Sequence, residues 1–254
     1  MKRTIGFLLL LASLQLPVTC LAAKSAAEYW DDARDYATSP LRWDGRDWLM
    51  AGGTAAGIAL AYTADSSVRD HFAPADDPTA SSKTSSRDAL PLVLMVGGTF
   101  ATGLLQSNDK LKGTGWDMTE AVVLSSVSAQ VFKLMLGRLR PNETTSPDQF
   151  GQGGASFPSG HATAAFAAAQ VFADEMPSDQ WGWRVLAYTL AGATAYGRLD
   201  SNVHWLSDTV AGAALGISTG RFVSNRDPEH KSRLSMYVAP WHGGARVQFF
   251  VDTN

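Results

Sequence analysis

The chain has 254 residues, 45% of them hydrophobic, and a formal net charge of -3 at pH 7. That is enough chain for one substantial core, and without a basic surplus nothing in the composition calls for a nucleic-acid partner. Cys20 is the only cysteine, which excludes an intrachain disulfide framework and any thiolate metal centre.

Residues 1–23 have the three-part plan of a secretory signal peptide. Lys2 and Arg3 are followed by an apolar run from Ile5 to Val18 and by small residues at Ala22 and Ala23. The run is short for a membrane span, so an exported, periplasmic protein is expected. Residues 24–89 form a polar N-terminal region around a first core helix. Its acids Glu28, Asp31, Asp32 and Asp35 read as a solvated helix face rather than a metal site. The first core helix is the Ala/Gly-rich stretch 48–64, in which Gly53 and Gly57 mark close packing. Residues 65–89 are polar without period and read as a mobile loop.

Apolar helix-length segments follow at 90–106, 119–136, 161–175, 183–199 and 204–223. The expected fold is therefore an all-α bundle of about six core helices, with residues 90–225 as its catalytic part. The tail, 226–254, has two strand-like runs flanking Trp241-His242-Gly243-Gly244 and reads as a small C-terminal β-hairpin. Glu120, Gln130, Lys133 and Asp208 interrupt the apolar segments, and mean hydropathy is only -0.07. These features favour a soluble or membrane-associated bundle; an integral inner-membrane protein is the alternative.

Three stretches carry chemistry. Lys133 and Arg140 lie at the end of one helical segment, with Pro141 turning the chain away. Taken alone, cations there only complement a helix dipole. In Pro158-Ser159-Gly160-His161 a turn opens the next helix, where free N–H groups suit an anion. Ser159 stands where a helix N-cap is expected, and Gly160 lets the backbone approach a ligand. The third stretch runs from Arg198, ending a helix, to His204 and Asp208, four residues apart on one face of the next. A carboxylate on one ring nitrogen fixes the imidazole tautomer and leaves the other nitrogen free to attack. Since each stretch sits at a helix end, all three can cluster at one end of a bundle, where fixed positive charge would hold a phosphoryl group.

The pattern K-x6-R-P, P-S-G-H and R-x5-H-x3-D resembles the type 2 phosphatidic acid phosphatase (PAP2) superfamily. That superfamily includes bacterial class A acid phosphatases, lipid phosphatases and vanadium haloperoxidases. The resemblance covers Lys133 to Asp208; Gly197 stands where the third motif usually has Ser. It implies that Lys133, Arg140 and Arg198, with Ser159 and Gly160, bind the phosphoryl oxygens. His204 attacks phosphorus, Asp208 orients it, and His161 protonates the leaving alcohol and then activates water. No metal or other cofactor is required. The implied activity is hydrolysis of phosphate monoesters on small molecules or lipids, including lipid pyrophosphates. The second reading is a vanadium-dependent haloperoxidase using the same anion site.

Overall fold

The computed structural model describes residues 21–22, 26–73, 77, 79, 89–225, 234–241 and 244–251. The signal-peptide reading covers residues 1–23, of which all but Leu21 and Ala22 lie outside this set. Among the described residues there are eight α-helices, and they define an all-α fold. Ala26–Thr38 (α1) is polar, followed by Gly45–Thr63 (α2), Asp65–Phe72 (α3), Leu90–Leu105 (α4), Asp109–Leu136 (α5), Gly160–Glu175 (α6), Trp181–Asp200 (α7) and Leu206–Ser224 (α8). Outside the bundle, the backbone of Leu234–Trp241 pairs antiparallel with Gly244–Val251. The expected hairpin is not counted as part of the fold, because the side chains of 234–251 lie outside the described residues.

Local chemistry sets the helix boundaries. The Asp44 carboxylate accepts from the N–H groups of Arg46 and Asp47, and Asp47 reaches back to the Asp44 N–H, which closes a capping box at the start of α2. The Asn108 side chain accepts from the Leu111 N–H and starts α5. Helix α5 thus begins ten residues before the apolar run starting at 119. The interval 109–118 is too polar to show a period, yet it buries Lys112, Thr114, Gly115 and Met118. Gly137 ends α5 in the left-handed region at φ 53°, and a Cβ there would lie 3.0 Å from the Gly153 nitrogen. Residues 65–72 were expected to belong to a loop and are helical, with Asp65 fully buried.

The core is centred on α6, whose alanines 162, 164, 165, 167, 168, 169 and 173 are buried. Helix α8 presents Gly212, Gly216 and Gly220 to it at four-residue intervals. A Cβ at Gly216 would fall 2.3 Å from the Thr163 carbonyl oxygen, and one at Gly212 would fall 2.7 Å from that of Ser159. The two backbones therefore touch, as small-residue faces permit. This contact places the start of α6 beside the start of α8. Antiparallel neighbours bring the ends of α5 and α7 to the same place. Replacing Gly216 with Ala is expected to cost about 1–3 kcal/mol through overpacking. Comparing unfolding midpoints of the variant and the parent protein checks this; an equal midpoint would mean the helices do not touch there.

Candidate active site

Lys133 approaches this end of the bundle from the last turn of α5, and its ammonium donates to the Ala155 and Ser156 carbonyls. It stands within electrostatic reach of Arg140, Arg198 and Asp208. His204, in turn, senses Lys133, Arg198 and Asp208. Five of the residues picked from sequence thus meet around one point: Lys133, Arg140, Arg198, His204 and Asp208. Ser159 joins them through its backbone N–H, which donates to the Asp208 carbonyl at 2.9 Å. Gly160 lies against the Lys133 side chain; a Cβ on it would sit 3.9 Å from Lys133 Cε. His161 occupies the first turn of α6, and its side chain is exposed at the rim.

Two local expectations change. His204 lies just before α8, in the connection from α7, rather than in the helix itself. The His–Asp contact survives, because Asp208 at the third position of α8 folds back over the cap. Its Oδ2 accepts from the Trp205 N–H at 2.9 Å and lies 3.4 Å from His204 Nδ1. The latter distance is at the outer limit for a hydrogen bond. Ser159 does stand at the N-cap of α6, but its side chain makes no cap hydrogen bond. Its hydroxyl is instead fully buried, with no partner among the described residues. A buried hydroxyl is costly to leave unbonded, so this one is poised for a ligand acceptor.

A residue absent from the sequence-derived site holds the arrangement together. The Arg138 guanidinium is fully buried, and all five of its N–H groups find acceptors. Nη1 donates to Ser207 Oγ at 2.8 Å and Asp208 Oδ1 at 2.6 Å. Nη2 donates to Asp65 Oδ2 and to the Pro147 carbonyl, both at 2.7 Å, and Nε donates to the same carbonyl at 3.0 Å. Rings of Tyr62, Phe150 and Trp205 surround its plane. Arg138 therefore has no capacity left for substrate, whereas Arg140, two residues on, faces Lys133. Ser156 completes the Asp208 shell by donating to Oδ2 at 2.5 Å. The signal for Arg138 was the second arginine in Gly137-Arg138-Leu139-Arg140; Asp65 offered none.

Burial pushes the His204 imidazole down from the ordinary 6.5 to about 4. Asp208 opposes that shift through its hydrogen bond and its charge, while Lys133 and Arg198 reinforce it. The ring is therefore neutral at physiological pH.

Residues 114–231 match the family model of the PAP2 superfamily, a stretch that holds Lys133, Arg140, Ser159, His161, Arg198, His204 and Asp208. Over 88 residues the chain is 41% identical to the lipid A 1-phosphatase of Porphyromonas gingivalis, a stretch that is 35% of this chain and 18% of that protein. The chain thus matches less than a fifth of that relative's length. No solved structure matches it.

A reaction that needs neutral His204 should keep its rate far below the usual imidazole range and lose it as pH falls through about 4. Folding stability should begin to drain earlier, below 6.5, because the unfolded chain takes up the proton first. The pH profile of kcat/KM checks the first statement; an acid limb at the ordinary imidazole value would mean a hydrated ring.

Proposed function

We propose that this protein is a metal-independent phosphatase that hydrolyses phosphate monoesters of lipids through a phosphohistidine intermediate. The observation that carries this reading is the convergence of Lys133 and Arg198 on a neutral, carboxylate-bound His204, with Arg140 acting on Lys133. Fixed cations in a buried site favour a phosphoryl dianion, and favour its transition state more. Arg140 and Arg198 suit the oxygens by their planar fork, and Lys133 by its point charge. The buried Ser159 hydroxyl and the backbone at Gly160 supply further contacts to the same oxygens.

In the first step the Nε2 lone pair of His204 forms a bond to phosphorus as the ester P–O bond breaks. His161 gives its proton to the departing alkoxide. Asp208 accepts from Nδ1–H and stabilises the positive charge that the ring acquires. In the second step His161 takes a proton from water, the resulting hydroxide oxygen bonds to phosphorus, and the P–N bond breaks to release phosphate.

A lipid substrate is supported by the name of the Porphyromonas gingivalis relative and by the surface of the bundle. Leu49 and Leu60 on α2, Val93, Leu94 and Leu105 on α4, Val127, Leu134 and Met135 on α5, and Trp181 and Trp183 on α7 are exposed. Helix α5 is long and apolar enough to cross a membrane. Large apolar side chains exposed on four helices suit a surface that works against or within lipid. This favours the membrane-bound form over a freely soluble periplasmic enzyme, with the export signal read at residues 1–23 as the route to the membrane. No observation favours the haloperoxidase reading, which the similarity to a phosphatase leaves behind.

The deciding experiment is release of inorganic phosphate by the detergent-purified protein in EDTA, on soluble and lipid phosphomonoesters. Turnover should survive EDTA, be faster on lipid phosphates, and fall by at least about a thousandfold in His204→Ala, as loss of a nucleophile does. A folded His204→Ala protein retaining most of its activity would reject the nucleophile, and turnover confined to soluble esters would reject the lipid substrate.

A further inference from the structure

We infer that Asp65, on α3 and outside the residues that match the family, is a positioning residue that shares Arg138 with Asp208 and so leaves the buried cluster behind His204 with a net negative charge. The inference rests on the phosphohistidine reading and concerns how that site is balanced.

Asp65 and Asp208 are both fully buried, and Arg138 lies between them with a 2.7 Å contact to one and a 2.6 Å contact to the other. Asp65 is further fixed by Ser207, whose N–H donates to Oδ1 at 2.8 Å and whose hydroxyl donates to Oδ2 at 2.6 Å. Ser207 is the residue before Asp208, so α3 is bolted to the first turn of α8. The three charged groups carry two negative charges and one positive charge.

That count matters for catalysis. If Arg138 faced Asp208 alone, the pair would be neutral, and the carboxylate would have little field left for the imidazolium formed when His204 attacks. With Asp65 sharing the guanidinium, the cluster keeps one net negative charge, and that charge is opposite to the one His204 acquires. The other charged groups that His204 senses, Lys133 and Arg198, are cations that oppose its gaining positive charge. The excess negative charge behind Asp208 offsets them where phosphorus is not bound, so oxyanion binding by the cations is left intact. Arg138 itself has no N–H to spare for phosphate, so Asp65 acts on the ring through Arg138 and Asp208 alone.

The test compares the full-length wild type, His204→Ala, Asp65→Asn and Ser207→Ala in detergent, using p-nitrophenyl phosphate as substrate and inorganic phosphate as competitive inhibitor. Asp65→Asn is close in shape and removes only the charge. Its kcat should fall on the order of tenfold or more, as for groups acting through one intermediary, while the inhibition constant for phosphate stays that of the wild type. A merely structural role would weaken phosphate binding along with kcat. Wild-type kcat in Asp65→Asn, or parallel loss of kcat and phosphate affinity, would overturn the inference while leaving the phosphatase reading in place. A wild type inactive on this ester and on lipid phosphomonoesters alike, or an active His204→Ala protein, would overturn both. Should Asp65→Asn not fold, Ser207→Ala decides by the same split, since it removes one of the hydrogen bonds that seat the Asp65 carboxylate against Arg138. A lowered kcat with unchanged phosphate inhibition supports the inference, and an unchanged kcat overturns it.

Discussion

The Asp208 carboxylate is the constraint on which the rest of the active site depends. Arg138 occupies one of its oxygens, and Ser156, the Trp205 N–H and His204 crowd the other. Those donors arrive from the connection after α5, the stretch before α6 and the turn before α8. One group therefore ties together the three segments that carry the motifs. Burying such a carboxylate without partners would cost several kcal/mol, so its position is set by its donors rather than by packing alone. The same dense shell explains why His204 is held before the helix instead of within it: at the start of α8, Asp208 serves as helix cap and ring partner at once.

The cations at this end fall into two kinds. Arg138 is spent inside the protein, enclosed by rings and carboxylates. Lys133, Arg140 and Arg198 stand close together despite their mutual repulsion, and a fold tolerates that when an anion is to be bound. Gly137 separates the two kinds. Its left-handed backbone ends α5 and turns the chain so that Arg138 points inward, leaving Arg140 beyond the turn to approach Lys133.

Much of this was legible in the sequence, and the gaps have physical causes. Helices α2 and α4 through α8 showed as apolar runs: α6 and α8 because they bury small and apolar faces, α2 because it is apolar although none of its residues is buried. The start of α5 did not, since 109–118 mixes Asp, Lys and Thr with Gly and is stabilised by tertiary burial rather than pattern. Lys133, Arg140, His161, Arg198, His204 and Asp208 were readable because reactive residues stood at helix ends in a specific spacing. Arg138 was hidden by Arg140, as helix-end cations look alike before the direction of the turn is known. Asp65 lies 142 residues from Ser207, in a polar stretch without period, and only the folded chain reveals the bond between them. The Ser159 position was read correctly as a cap, but its hydroxyl was not, because orientation depends on how α6 seats against α8.

The glycine ladder of α8 constrains how the candidate site can move. Where backbone meets backbone there is no layer of side chains to rearrange, so α6 and α8 travel as one rigid body, and the histidines borne at their adjoining ends keep a constant spacing. On the phosphatase reading proposed above, adaptation to different leaving groups falls to the surrounding rim, the 141–157 connection and the α2–α3 corner, and the reaction centre is inherited as a fixed part, with selectivity tuned from outside it.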